Sequence, residues 1–528
     1  MAIICVDAGT TVIKAVGYDS SGAESYVARR ETTVSRPAPG HAEQDMDAVW
    51  AAVADTVREV ASRMSEPGAG PDAGPGGGAG AGAGRGPDVG SSAGPGAGPG
   101  VDRVDFVAVT AQGDGCWLVD AGGRPTGPAI LWNDARAAAT VDAWTRSGLA
   151  AAAFRLNGSS AASGLPHAIL TWLRANDPGR LDRSHANLTC GGWIFSRMTG
   201  KLVADESDAS APFMDLPARA YSPELLGMFG MEWAGRLLPE IRSCPVAELT
   251  ADAAATLGLP AGTPVVMAPY DIASTALGAG AVAPGQACGI LGTTLCTEVI
   301  VGAPDLDGDP IGITIALPGG YLRAFPTFAG TEVVQWTCRL LGLEGPAELG
   351  ELARHSPPGA GGLTFLPYLS PAGERAPFSD PLARGALHGM SFEHGREHVA
   401  RAALEGLTMV IRDCLAATGA APTELRASGG GSASATWLAM IADVTGLPVR
   451  RPADAEVGAR GAYLVGLAAT GAAPSVADAA AEHVRLRDAV EPDPGRQARY
   501  ARLFDDFLSL RGASAGTWPL LADMRNRP

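Results

Sequence analysis

Four short stretches carry residue types that could do chemistry. The first is Asp7-Ala8-Gly9-Thr10-Thr11, with Lys14 three residues on. An acid ends an apolar strand, a tight glycine turn exposes backbone N–H groups, and two hydroxyls follow. Such a turn can cradle the terminal phosphates of a nucleotide, with Asp7 holding Mg²⁺. Lys14 could neutralise charge on a phosphoryl group in transfer. The plain alternative is an ordinary Asp-x-Gly hairpin turn. The second stretch, Gly292-Thr293-Thr294, repeats that turn after another short strand. Two such hairpins facing each other would grip one polyphosphate from both sides. The third is Ser428-Gly429-Gly430-Gly431-Ser432, ahead of a helix. Its glycines let the backbone approach a flat group such as adenosine, and a helix N-terminus favours negative charge. The alternative is a strand–helix loop. The fourth is Asp271, in Ala268-Pro269-Tyr270-Asp271. A carboxylate there could accept a proton from a substrate hydroxyl, or merely cap the following helix.

Other candidates are weaker. Asp205-Glu206-Ser207-Asp208 reads as turn and cap residues rather than a carboxylate pair. His394 and His398 lie four apart, but no further metal ligands accompany them and both fall at a helix start.

The elements that must position these groups follow from hydrophobic period. Ala2 to Val6 is a short apolar strand, and Thr11 to Tyr18 alternates like the second arm of a hairpin. Asp45 to Met64 has helical spacing, with Met46, Val49, Val53, Val57 and Val60 on one face. Val104 to Thr110 is a buried strand leading to Gln112-Gly113-Asp114-Gly115. Pro264 to Ala268 is a strand ending at Tyr270-Asp271, followed by a small-residue helix. Ala287 to Leu291, the Gly292 turn and Glu298 to Val301 form a second strand–turn–strand unit. The opening pattern of the chain thus recurs, weakly, in its second half. Helices are expected over His398 to Leu415 and Ala435 to Thr445.

The 528 residues exceed what one ordinary core supports, so two domains or more are expected. Hydrophobic residues make up 46% and charged residues 18%, a globular composition. The net charge of −16 comes without a basic block, which argues against nucleic acid or an anionic membrane as partner. No apolar run is long enough to span a bilayer. Eight scattered cysteines show no metal-ligand spacing and read as thiols of a reduced, cytoplasmic protein. Of 70 glycines, 15 fall between Pro67 and Gly100, a stretch with one Val and no aromatic residue. Ordering its backbone would cost roughly 34–70 kcal/mol. It has almost nothing apolar to bury in return, so 67–100 is read as a disordered insertion.

Taken in order, these segments resemble the FGGY carbohydrate kinases over nearly the whole chain outside the insertion. The resemblance rests on Val6 to Thr11, Pro39-Gly40-His41-Ala42-Glu43-Gln44-Asp45, Gln112 to Gly115, Leu131-Trp132-Asn133-Asp134-Ala135-Arg136 and Asp205 to Ser210. It continues through Gly262 to Val266 with Asp271, Leu291 to Thr294, Phe365 to Leu369, Gly373-Glu374-Arg375-Ala376-Pro377, and Gly429 to Ser432. The resemblance implies an α/β fold of two actin-like, ribonuclease-H-like domains, with sugar and ATP in the cleft between them. Residues 1–278 would form the sugar-binding domain and 279–528 the nucleotide-binding domain. By position, Asp271 matches the family's general base. Thr10, Thr11 and Lys14 match the first phosphate element, with Asp7 near Mg²⁺. Gly292, Thr293 and Thr294 match the second, and Gly429, Gly430, Gly431 and Ser432 match the adenosine loop. Asp134 and Arg136 fall near the sugar, and Gln112 and Asp114 should face the cleft beside them. Xylulose kinases usually have Met-His where this chain has Gly113-Asp114. The Gln-Gly-Asp-Gly-x-Trp-Leu-Val form looks like erythritol kinases, and L-xylulose kinases have a similar glycine. The expected partner is therefore a small sugar or polyol, erythritol or a pentitol first. The rivals are a ketopentose kinase acting on L- or D-xylulose or ribulose, and a catalytically inactive nucleotide-binding relative. A homodimer is an open expectation.

Overall fold

The computed structural model describes residues 2–65 and 103–526. The stretch 67–100, read above as a disordered insertion, lies outside them. Among the described residues, no helix is long and apolar enough to cross a membrane.

A strand apolar on both faces must sit mid-sheet with cover on both sides. The strand β1 (Ile3–Ala8) does so. It pairs antiparallel with β2 (Val12–Tyr18), which pairs with β3 (Glu24–Glu31). The helix α1 (Met46–Met64) begins at the Asp45 cap and buries the face read from its spacing. On the other side of β1, β4 (Phe106–Ala111) runs parallel to it. The sheet is completed by β5 (Val246–Glu248) and β6 (Pro264–Met267), in the order β5-β6-β4-β1-β2-β3. The helix α2 (Asp271–Gly278) follows.

The second half builds a second six-stranded sheet. Its strands are β7 (Gln286–Leu291), β8 (Leu295–Val301), β9 (Ile313–Leu317) and β10 (Gly320–Pro326), then β11 (Glu424–Ser428) and β12 (Val449–Arg450). The order is β9-β10-β8-β7-β11-β12. Three antiparallel strands and two parallel ones, β10-β8-β7-β11-β12, repeat the pattern β3-β2-β1-β4-β6. The faint internal repeat of the sequence is thus a repeated sheet. The helices α3 (Thr331–Leu341), α4 (Arg396–Ala417) and α5 (Ala435–Thr445) cover its outer face, and α6 (Val457–Ala469) follows β12.

Strand alternation divides the apolar residues between two cores. Ile4, Val6 and Ala8 of β1 pack with α1. Ile3 and Cys5, on the opposite face, join a core that also takes Cys288, Ile300 and Leu322 from the second sheet. The helices α2 and α6 fill the middle of that shared core. They cross at contact distance: a Cβ on Gly278 would lie 1.9 Å from the Val457 carbonyl oxygen, and one on Gly461 1.9 Å from that of Ser274. Farther along α6, a Cβ on Gly466 would meet the Phe106 ring of the first sheet at 2.2 Å. Polar ties reinforce the junction. Arg460, buried in α6, donates to Asp454 at 2.9 Å and to the Gly22 carbonyl at 2.7 Å.

Backbone meets Cβ at this crossing, with no flexible side chain to yield. Gly461→Ala should therefore destabilise the protein by about 1–3 kcal/mol, the range for overpacked cores. Urea unfolding of the variant against the parent measures this, and unchanged stability would show that the helices can part without cost.

Candidate active site

The helix α2 starts at the candidate base. Asp271 is its first residue, and Oδ1 accepts from the Ile272 N–H at 2.8 Å. Burial raises its carboxyl to about 7, with the charges of Asp7 and Asp114 pushing the same way and the Ile272 N–H opposing. A carboxylate titrating near neutrality is matched to taking a proton from an alcohol at physiological pH.

Asp7 ends β1 directly across the hairpin from Lys14. Its Oδ2 lies 3.7 Å from Lys14 Nζ. The first turn of α6 faces it so closely that a Cβ on Gly458 would come within 3.0 Å of the same oxygen. Burial pushes the Asp7 carboxyl up, and Lys14 opposes this. The Lys14 ammonium makes its shorter contact elsewhere, 2.9 Å from Oε2 of Glu456, which also receives Arg29. The cation assigned from sequence to the phosphoryl group is thus held in an ion-pair cluster joining the two halves.

The two Gly-Thr-Thr turns differ in the hydroxyls they leave free, one in the first and two in the second. Thr10 donates to Gln112 Oε1 at 2.8 Å and accepts from Trp132 Nε1 at 3.0 Å. Thr11 is exposed. In the second turn Thr293 is exposed and Thr294 partly so, while the Gly292 carbonyl accepts from the Thr331 N–H of α3 at 2.9 Å. The triple-glycine loop packs against this turn. Gly429 has φ +79°, and a Cβ there would lie 2.9 Å from the Leu291 carbonyl oxygen. Gly431 sits on the Trp437 ring, which a Cβ would approach to 2.5 Å. Ser432 turns its hydroxyl back to the Gly429 carbonyl at 2.7 Å. Beside the loop opens a cavity of about 510 Å³, with Gly430, Gly431, Ser434, Thr436 and Trp437 in its wall.

Three of the four residues expected near the sugar have their polar groups engaged within the protein. Gln112 is buried and its amide is engaged on both ends, by Thr10 and by Gln44 Oε1 at 2.8 Å. Gln44 in turn donates to the Thr10 carbonyl at 2.7 Å. This closed ring braces the first phosphate turn. Asp134 is fully buried, and both its oxygens are taken by Arg136 and the Ala42 N–H. Arg136 adds Glu43 at 2.7 Å. The pair fastens the 40–44 segment to the 131–136 segment instead of offering free groups to the cleft. Asp114 differs from these three. It stands in the left-handed region at φ +55°, a strain Asp tolerates better than most residues. Its carboxylate makes no hydrogen bond within the described chain. Burial raises it to about 6, and Arg375 pulls it down.

Comparison with known proteins decides the family. The N-terminal domain of the FGGY family of carbohydrate kinases matches residues 2–68 and 100–278, and its C-terminal domain matches 288–470. The chain belongs to the FGGY family of carbohydrate kinases. It is 32% identical to the erythritol kinase of Brucella abortus, over 98% of each chain. It is 26% identical to the L-xylulose/3-keto-L-gulonate kinase of Escherichia coli, over 97% of each. The crystal structure of a xylulose kinase from Rhodospirillum rubrum, 26% identical, superposes with a TM-score of 0.84 over 98% of this chain and all of that one.

Two groups of this kinase escape a reading by sequence alone. Asp205 behaves as the expected cap, accepting from the Ser207 and Cys244 N–H groups. Asp208 does not. Its Oδ1 is buried without a hydrogen-bond partner. Burial, together with Asp205, Asp114 and Asp271, pushes its carboxyl well up. Arg375, in the Gly373–Pro377 segment, spans the cleft. Its guanidinium lies 4.7 Å from the Phe328 ring centre and 5.5 Å from that of Trp132 in the first half. Among the described residues only its Nε is hydrogen-bonded, to the Pro326 carbonyl at 2.9 Å. Neighbouring Glu374 accepts from the Phe328 and Arg375 N–H groups and holds the turn.

The Asp271 carboxyl carries two measurable consequences. Asp271→Asn keeps the shape and removes the proton acceptor, so kcat should fall by roughly 10²–10⁴ while ADP binding changes little. A folded-state value near 7 against 3.8 means that the stability Asp271 contributes is present below about pH 4 and lost as pH rises through 7. The Asn variant should therefore melt above the parent at pH 8, with the gap closing toward pH 4. Equal melting temperatures at both pH values would contradict the burial argument.

Proposed function

We propose that this kinase transfers the γ-phosphoryl group of ATP to a hydroxyl of a small neutral polyol, erythritol or a pentitol before other acceptors, with Asp271 as general base. The observation that carries this reading is the pair Asp271 and Asp114. One carboxylate is poised to take a proton, and the other stands unpartnered beside it to receive hydroxyl donors. A cleft lined by Asp7, Asp114, Asp208 and Asp271 disfavours an anionic acceptor. Full-length similarity to an erythritol kinase supports the same choice.

The residues present fit the nucleotide and its ion. The 510 Å³ cavity has room for a nucleoside, and the bare backbone of Gly430 and Gly431 fits a flat base. Asp7 fits Mg²⁺ as a single carboxylate sharing the ion with phosphate oxygens. Among the described residues no cluster of three or more acidic, His or Cys side chains would hold a metal unaided. ATP when bound supplies the phosphoryl group, and Mg²⁺ neutralises part of its charge. The exposed hydroxyls and backbone of the Thr11 and Thr293 turns would orient the phosphates, in a nucleotide-binding half drawn from 279–528. Asp271 then accepts the proton of the attacking hydroxyl, while Asp114 holds the acceptor through its remaining hydroxyls. Eight unpaired thiols agree with a cytoplasmic setting.

Coupled ATP turnover on erythritol, threitol, arabitols, xylitol, xylulose, ribulose and glycerol tests the reading. A polyol should give the highest kcat/KM, and a ketose preferred tenfold or more over every polyol would overturn it. Losing a hydrogen bond to a buried acceptor costs about 1–3 kcal/mol, so Asp114→Ala should lower kcat/KM on the best acceptor roughly 5–150-fold.

A further inference from the structure

Tyr270 has no part in the mechanism above, yet it directly precedes the candidate base at the edge of the core shared by the two sheets. Its backbone N–H is pinned to the Ser207 hydroxyl at 3.1 Å, and Ser207 is itself held by Asp205. The next residue is the base. The ring lies flat against the Gly113 turn: a Cβ at position 113 would fall 2.4, 2.7 and 2.8 Å from three ring atoms. The ring therefore fills the room that any side chain at 113 would claim, and Gly113 and Tyr270 form a matched pair. The residue is only 7% exposed. Its hydroxyl has no hydrogen-bond partner in the described chain. Its surroundings are the carboxylates of Asp114, Asp271 and Asp208.

We propose that the Tyr270 ring, seated on Gly113 between Asp271 and Asp114, is a specificity-determining wedge that limits the length of the acyclic acceptor. An acceptor must place its reacting hydroxyl at Asp271 and its remaining hydroxyls within reach of Asp114. The ring rests on Gly113, the neighbour of Asp114, and belongs to the residue before Asp271, so on this proposal a short chain would fit and a longer one would meet the aromatic wall. The ring has little room to swing aside, because the residue is buried and its ring is packed on the Gly113 turn. The wedge rests on the proposed reading for where the acceptor binds, but not for whether the acceptor is a polyol or a ketose.

The test uses the full chain and a length series from three to six carbons, run in polyols and separately in 2-ketoses from four carbons up. Tyr270→Ala should raise the ratio of kcat/KM for six-carbon over four-carbon acceptors at least tenfold in the series the parent prefers. Tyr270→Phe keeps the ring and should leave that ratio within about twofold of the parent. Gly113→Ala should depress kcat/KM on all acceptors by pressing on the ring, and adding Tyr270→Ala should restore at least part of the loss. Thermal melting with and without ADP confirms that each variant is folded. A folded Tyr270→Ala enzyme with an unchanged length ratio would overturn the wedge, as would a Gly113→Ala defect that removing the ring does not relieve. Which series the parent prefers judges the polyol reading alone, so the two failures are distinguishable.

Discussion

The active centre depends on a backbone-to-backbone crossing of two helices. Asp271 begins α2, and Gly458 in the first turn of α6 faces Asp7. Because Gly278 and Gly461 let α2 and α6 touch, the base from one half and the first phosphate turn meet beside a helix end from the other. Glycine inside a helix costs about 1 kcal/mol relative to alanine. The crossing leaves no room for the methyl group that would recover it. A wider crossing would draw the start of α6 away from Asp7 and loosen the shared apolar core.

That geometry concentrates negative charge. Asp7, Asp114, Asp208 and Asp271 converge with few cations in reach. Lys14 is drawn toward Glu456, and Arg375 reaches across from the second half to lie against Trp132. Burial first, and the neighbouring carboxylates after it, raise the Asp271 carboxyl toward neutrality. Arg375 and Trp132 contribute differently: their contact ties the Trp132 segment of the first half to the second half, and Trp132 also holds Thr10.

The two sheets repeat one topology but not one duty. In the first, the turn after β1 is braced by a ring of hydrogen bonds through Thr10, Gln112 and Gln44. In the second, the turn after β7 is braced by the start of α3 and by the triple-glycine loop lying on it.

Much of this was legible from residue order alone. Period and punctuation located β1, α1, β4 and α5, because amphipathic and fully apolar patterns depend on local spacing. The glycine turns and the family were readable for the same reason, since they rest on short contiguous motifs. Side-chain partnership was not. Gln112, Asp134 and Arg136 carry polar groups suited to a sugar, and only the fold shows that Gln44, Ala42 and Glu43 take up their hydrogen bonds. Asp208 sits in an acidic run that reads as a cap, and only the fold turns it from Asp205's role toward Asp271. Glu456 lies 442 positions from Lys14 in sequence and 2.9 Å from it in space. The proximity of Tyr270 to Gly113 is likewise invisible until β4 and β6 lie side by side. Local chemistry is written in the chain, whereas which polar groups satisfy one another and which remain free for a ligand is decided by contacts between distant segments.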